Sequence, residues 1–232
     1  MTQWCPLMQF FFDETLRHDG LGDALDEKKC PCCDAAYTRT SHRFRCGECG
    51  VFTQCLSCVR SRHSLSPLHR IRWNGTFWAP TTLQKIGCVY QLGHGGHPCL
   101  RPAPTVHEMV VMDTEAIHTI SYRYCGCDRS DHANNLQQLL RNSWYPATTV
   151  DPQTCATFTS LETFRTLNVV GNINVHNFVG AMERQTDPCL VVKVPDRYKS
   201  FGLMSRQYSF LKRMKRAGRG HDPQLLHATK RG

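Results

Sequence analysis

The chain has 232 residues, a formal net charge of +9 and 14 cysteines. This length allows one or two domains, each with a core of its own. No apolar stretch approaches the length of a membrane span, and the first residues lack the basic and apolar regions of a secretory signal. We therefore expect an intracellular chain with no membrane contact, where paired cysteines bind zinc more often than they oxidise.

Residues 1–29 form a weakly patterned leader. They carry six acidic and three basic side chains, against the basic charge of the whole chain. We expect an acidic, solvated and flexible arm here.

Residues 30–72 contain four pairs of metal-ligand residues, Cys30/Cys33, Cys46/Cys49, Cys55/Cys58 and His63/His69. Zinc takes four ligands in a tetrahedron, and C-x2-C offers two thiolates from one turn. Eight ligands therefore predict two zinc ions. Only five residues separate Cys49 from Cys55, which makes one shared site awkward for the four thiols of these two pairs.

An interleaved arrangement removes this difficulty and is similar to the cross-brace of ZZ and B-box fingers. It assigns one ion to Cys30, Cys33, Cys55 and Cys58, and the other to Cys46, Cys49, His63 and His69. Two alternatives stay open, because Cys32 can replace Cys33 and His42 can replace one of the two histidines.

Residues 73–130 predict a β-rich region. The runs CVYQL, EMVVMD and AIHTISYRYC are short and rich in β-branched and aromatic residues, and MDTEA is predicted to join the last two as a hairpin. The same region offers a third candidate zinc site, formed by His94, Cys99, Cys125 and Cys127. His97 and His132 compete for a place in this set, and reduced thiols in a small β-core are the alternative interpretation.

Residues 131–220 predict helices. Leu136, Leu139, Leu140 and Trp144 form one apolar stripe. An extended segment, PATTVDPQTCATFTS, is followed by predicted helices over residues 160–170, 174–186 and 195–217. Basic side chains concentrate in the last helix and in the basic tail 221–232, and the candidates for nucleic-acid binding are Lys212, Arg213, Lys215, Arg216 and Arg219.

Six stretches occur in order along the chain: SPLHRIRWNGTFW, YQLGHGGHPC, IHTISYRYCGC, LQQLLRNSWYPAT, VPDRYKSF and LKRMKRAGRGHDP. Together they resemble the CxC-type cysteine-cluster domain that precedes the catalytic region of KDZ (Kyakuja-Dileera-Zisupton) transposases. The likeness runs from about Cys30 to Pro223, and Cys125–Cys127 supplies the C-x-C. It implies a zinc-binding accessory region that acts on DNA in the nucleus. The RNase H-like catalytic domain of such transposases has no room here, so no enzyme activity is expected.

The predicted fold class is α+β: a zinc-stabilised cross-brace module, a small β-rich region and a helical C-terminal part. Two zinc ions are expected, and three if the third set binds one. DNA binding or target recognition is the predicted function, and a ZZ- or B-box-like peptide binder that recognises a protein partner is the alternative. The ligand sets close at four protein residues and no G-x-S-x-G, phosphate loop or H-E-x-x-H occurs, which argues against an enzyme. No small-molecule substrate is expected.

Overall fold

The computed structural model describes residues 4–75, 77–127, 133–187 and 196–219. His132 and the predicted basic tail lie outside these ranges. Within them the chain forms six α-helices and two β-sheets, one of four strands and one of five. This confirms the α+β class. None of the described helices combines the length and the apolar character that crossing a membrane requires.

The leader contains helix α1 (Met8–Asp19), with a short 3-10 helix on either side, at Cys5–Leu7 and Gly22–Leu25. Its C-terminal end is attached to the following module, because the Arg45 guanidinium donates to the His18 carbonyl at 2.7 Å. Arg43 donates to the carbonyls of Ala24 and Glu27. The arm that the sequence predicts to be weakly patterned is therefore helical and held at one end.

The first sheet has the order β2-β1-β3-β4 and is antiparallel throughout. Its elements, with the helix α2 that packs on it, are β1 (Phe44–Cys46), β2 (Gly50–Gln54), α2 (Leu56–Arg62), β3 (Ile71–Asn74) and β4 (Trp78–Thr81). Its core is small and consists of Phe44, Cys46, Val59, Ile71 and Leu83. Ile71 pairs with Thr81, so this sheet contains strands on both sides of residue 72.

The second sheet has the order β5-β7-β6-β9-β8. Its strands are β5 (Val89–Gln91), β6 (His107–Met112), β7 (Ile117–Arg123), β8 (Trp144–Pro146) and β9 (Thr154–Thr157). Strands β6 and β7 are antiparallel, with Met112 opposite Ile117, which confirms the predicted hairpin. The β5–β7 and β6–β9 pairs are parallel.

Helix α3 (Asn135–Arg141) begins with a reciprocal cap between Asn134 and Gln137, as expected for a helix start. It ends earlier than the predicted apolar stripe. Ser143 has φ of 61°, a left-handed conformation that stops the helix, and Trp144 begins strand β8. The assignment of Trp144 to the helical stripe is therefore wrong, although its ring is buried with Leu139 in one apolar cluster.

Helices α4 (Phe158–Gly171), α5 (Val175–Thr186) and α6 (Tyr198–Arg216) agree with the three predicted helices within a few residues. The side chains of Thr157 and Asn174 cap the first two of them. The rings of Phe164, Phe178 and Phe201 lie 5.3–5.5 Å apart between these helices. They pack with Met112 and Ile117 from one face of the second sheet, so the three helices form a layer on that face.

Candidate metal centres and basic helix

The first predicted set, Cys30, Cys33, Cys55 and Cys58, comes together with all four sulfur atoms within 4.8 Å of one another. Cys30 and Cys33 flank a tight turn, in which the Asp34 N–H donates to the Cys30 carbonyl at 2.8 Å. Cys55 is the N-cap residue of α2 and Cys58 lies in its first turn. The four thiols therefore face one point from a turn and a helix start.

Ionisation within this set is strongly uneven. Burial opposes the ionisation of Cys30, but N–H donation from Cys55 and Cys32 outweighs it and lowers the pKa of Cys30 to about 6. The pKa of Cys58 is raised by burial first and then by hydrogen bonding to Cys33, Cys55 and Cys30. Adjacent thiols resist joint ionisation, because each thiolate repels the next. A bound cation removes this obstacle, since it deprotonates coordinating thiols outright.

The second predicted set, Cys46, Cys49, His63 and His69, also has its ligand atoms within 4.8 Å of one another. His69 Nδ1 lies 3.3 Å from Cys49 Sγ and 3.5 Å from Cys46 Sγ. His63 Nδ1 lies 2.7 Å from the Val59 carbonyl, and a proton on this nitrogen leaves Nε2 free to face Cys49 Sγ at 3.6 Å. In metal-binding histidines, a hydrogen bond from the ring nitrogen that does not bind the metal fixes the tautomer in this way.

The third predicted set, His94, Cys99, Cys125 and Cys127, meets the same 4.8 Å limit. His94 Nδ1 lies 3.3 Å from Cys125 Sγ. The Cys99 sulfur lies 3.3 Å from that of Cys125 and 3.4 Å from that of Cys127. The loop after β5 thus meets the end of β7.

Two glycines allow this meeting of loops. A Cβ on Gly93 would overlap the His97 carbonyl oxygen, and one on Gly126 would lie 2.9 Å from the Ala103 backbone nitrogen. Both approaches are too close for any other residue, so the C-G-C turn requires its central glycine for close backbone approach.

Residues 83–189 match the family model described as "CxC2 like cysteine cluster associated with KDZ transposases". The matched CxC2 segment contains the whole third set, the second sheet and helices α3 to α5. The first two sets lie before it and helix α6 lies after it. Comparisons with curated proteins and with solved structures give no match.

The alternatives that the sequence leaves open take other positions in the structure. Cys32 is exposed, and its sulfur lies 3.9 Å from an Arg62 nitrogen rather than in the first set. The His42 ring contacts Trp73 at 4.6 Å between centroids. In the CxC2 segment, the His97 side chain is exposed, and its Nδ1 atom lies 3.2 Å from the Pro98 carbonyl oxygen. Of these competing residues, Cys33 and His94 are the ones whose ligand atoms lie in the four-residue groups that could hold a metal ion.

The three donor sets differ in their ratio of sulfur to nitrogen ligands. The first has four cysteines, the second has two cysteines and two histidines, and the third has three cysteines and one histidine. Structural zinc sites use all of these combinations. Each set offers four ligand atoms to one ion, so the residues present fit zinc.

The basic end of α6 follows the CxC2 segment, and its five predicted side chains differ in their surroundings. Lys212 Nζ lies 3.3 Å from Glu162 Oε2 and 5.7 Å from the centre of the Tyr208 ring. This lysine therefore ties α6 to α4. The other four side chains are exposed, namely Arg213, Lys215, Arg216 and Arg219.

Proposed function

We propose that this chain is a non-catalytic, zinc-binding accessory region of a KDZ-type transposase that contributes to DNA binding or target recognition in the nucleus. The single observation that carries the proposal is the third set, a four-ligand group that lies within the segment matched by the transposase-associated family model, residues 83–189. In this proposal the first two sets supply stability and helix α6 supplies positive charge.

Zinc has a structural role in this proposal. The first two sets form a cross-brace, since their ligand pairs alternate along the chain. A catalytic zinc site keeps a coordination position open for water or substrate, whereas each of these sets supplies four protein ligands. Three zinc ions per chain are proposed, with no enzymatic activity in this part of the protein.

DNA contact is assigned to the exposed basic residues at the C-terminal end of α6. Lys215 and Arg216 are exposed neighbours in its last turn, where they can approach phosphate groups without leaving an ion pair of the kind that holds Lys212. Phosphate contacts of this kind give affinity and salt dependence, but they do not select a sequence.

The test compares the double variant Lys215→Ala/Arg216→Ala with a charge-matched control, Lys28→Ala/Lys29→Ala, whose side chains are exposed in the leader. Fluorescence anisotropy with duplex DNA measures affinity over a range of salt concentrations. If both residues contact phosphates, the slope of log K against log salt becomes shallower by about 2 in the first variant and stays unchanged in the control. Absence of binding to duplex and single-stranded DNA at low salt would reject the proposal.

A cleft favours one alternative function, the recognition of a protein partner. It has a volume of about 420 Å³ and lies between the first module and the second sheet, lined by Glu48, Pro67, His69, Tyr90, Glu115 and Trp144 among others. Its lining joins apolar side chains to Glu48 and Glu115, which both pair with Arg70, and a concave, mixed lining of this kind suits a peptide. A partner bound there would show only a mild salt dependence, which separates this function from DNA binding.

A further inference from the structure

Helix α1 and the 3-10 helix before it expose an unusual amount of apolar surface. Seven large side chains have between 48% and 60% of their surface accessible: Trp4, Leu7, Met8, Phe10, Phe11, Phe12 and Leu16. No residue of α1 is buried. We call these seven residues the α1 surface.

Four residues of the α1 surface have the spacing of a buried helix face. Trp4, Leu7, Met8 and Phe11 follow the i, i+3, i+4, i+7 pattern, which normally faces a core or a partner. Helix α1 has 12 residues, and isolated helices of this length are marginal in water because tertiary packing supplies most helix stability. The bonds from Arg43 and Arg45 hold the C-terminal end of the leader but cover none of this face.

We propose that the α1 surface is covered by the same surface of a second copy of this chain. Aromatic residues bury about 150–250 Å² each, so the four half-exposed side chains that share one helix face offer about 400 Å² per copy. Two copies then bury about 800 Å², in the size range of weak and transient interfaces. The area therefore predicts a weak, reversible dimer, although area alone does not set its dissociation constant.

The charge pattern selects an antiparallel pairing of the two helices. Residues 4–12 carry no charged side chain, whereas residues 13–19 contain Asp13, Glu14, Arg17 and Asp19. A parallel pair in register would place each carboxylate beside its own copy, which is unfavourable. An antiparallel pair centred near Phe10 places the charged half of each helix beside the uncharged half of the other.

The acidic side chains also disfavour binding of nucleic acid or of an anionic lipid surface to the α1 surface. Asp13 and Glu14 lie within the same helix as the apolar residues, and a negative helix is repelled by phosphates of nucleic acid and of anionic lipid. The pairing is independent of the proposed DNA contact, which uses α6. The two proposals can therefore fail separately.

The experiment is sedimentation equilibrium of the full, zinc-loaded chain without DNA, at concentrations from about 1 to 100 µM. The wild type is expected to change from monomer to dimer over this range. Phe11→Glu should weaken the dimer at least about tenfold, because it places a charge in an apolar interface. The matched control is Phe77→Glu, another exposed phenylalanine, with 65% of its surface accessible and outside the α1 surface, and it should dimerise normally.

Hydrogen exchange provides a second readout that does not depend on a variant. Amides of residues 8–16 should become protected as the wild-type concentration rises, because pairing stabilises the helix. A wild type that stays monomeric throughout, or a dimer that Phe77→Glu and Phe11→Glu weaken equally, would overturn the proposal. Unchanged zinc content in Phe11→Glu shows that the parts of the chain that carry the three ligand sets have kept their fold.

Discussion

At the scale of single residues, the choice between neighbouring thiols is decided by the turn that carries them. Cys30 and Cys33 lie at the two ends of a tight turn, closed by hydrogen bonds from the backbone N–H groups of Cys33 and Asp34 to the Cys30 carbonyl. Cys32 lies inside the turn and is directed towards Arg62. The spacing of two residues directs the two end thiols towards one candidate metal site, whereas the Cys32 thiol between them points away from it.

This geometry predicts different results for two neighbouring substitutions. Cys33→Ser should lower the zinc content by one ion per chain, because three ligands remain at the first set. Cys32→Ser is the matched control and should retain all zinc. Native mass spectrometry, before and after addition of a chelator, counts the ions. Loss of an ion in Cys32→Ser with none in Cys33→Ser would reverse the assignment.

At the scale of secondary-structure elements, helix α3 positions the C-G-C turn of the third set. The Cys125 backbone N–H donates to Gln138 Oε1 at 2.9 Å, and Gln138 Nε2 donates to the Ala133 carbonyl at 3.0 Å. Gln138 is buried, so its amide connects the start of the helix to a ligand from the neighbouring strand end. A side chain beyond the ligands therefore orients one of them.

Removal of this amide tests the role of α3. Gln138→Met keeps the volume but leaves the Cys125 N–H and the Ala133 carbonyl without their partner, and loss of an outer hydrogen bond typically costs about 10- to 100-fold in metal affinity. We expect a loss of about tenfold at the third set, measured by competition with a chelator. The control, Gln153→Met, changes an exposed glutamine in the same segment. Equal affinities in the two variants would contradict this role.

The sequence predicts elements well where local spacing alone determines them. The β6–β7 hairpin follows from two β-rich runs and a short connection, and the alternating ligand pairs follow from the five residues between Cys49 and Cys55.

Trp144 is misplaced by the pattern because it continues a helical spacing that the left-handed Ser143 interrupts. The parallel pairing of β6 with β9 joins strands separated by more than 40 residues, so local pattern carries no signal for it. Helix α1 escapes prediction because a short apolar run does not distinguish helix from strand.

At the scale of the whole molecule, two kinds of stabilisation operate in different parts of the chain. The first module has five buried apolar residues in its core and two four-ligand groups. The helices on the second sheet share a cluster of ten buried residues. Small modules depend on metal because structural zinc contributes on the order of 10 kcal/mol to their folding, whereas a larger apolar core needs no such support.

Zinc removal should therefore unfold one part and spare the other. In hydrogen-exchange mass spectrometry, a strong chelator is expected to abolish protection in α2, which carries Cys58 and lies between the first two sets. Helix α6 should stay protected, because Phe201 and Met204 are fully buried in the apolar cluster. Added zinc should restore α2. Simultaneous loss of protection in α2 and α6 would show instead that the two sheets form one cooperative unit, with the metal sites stabilising both.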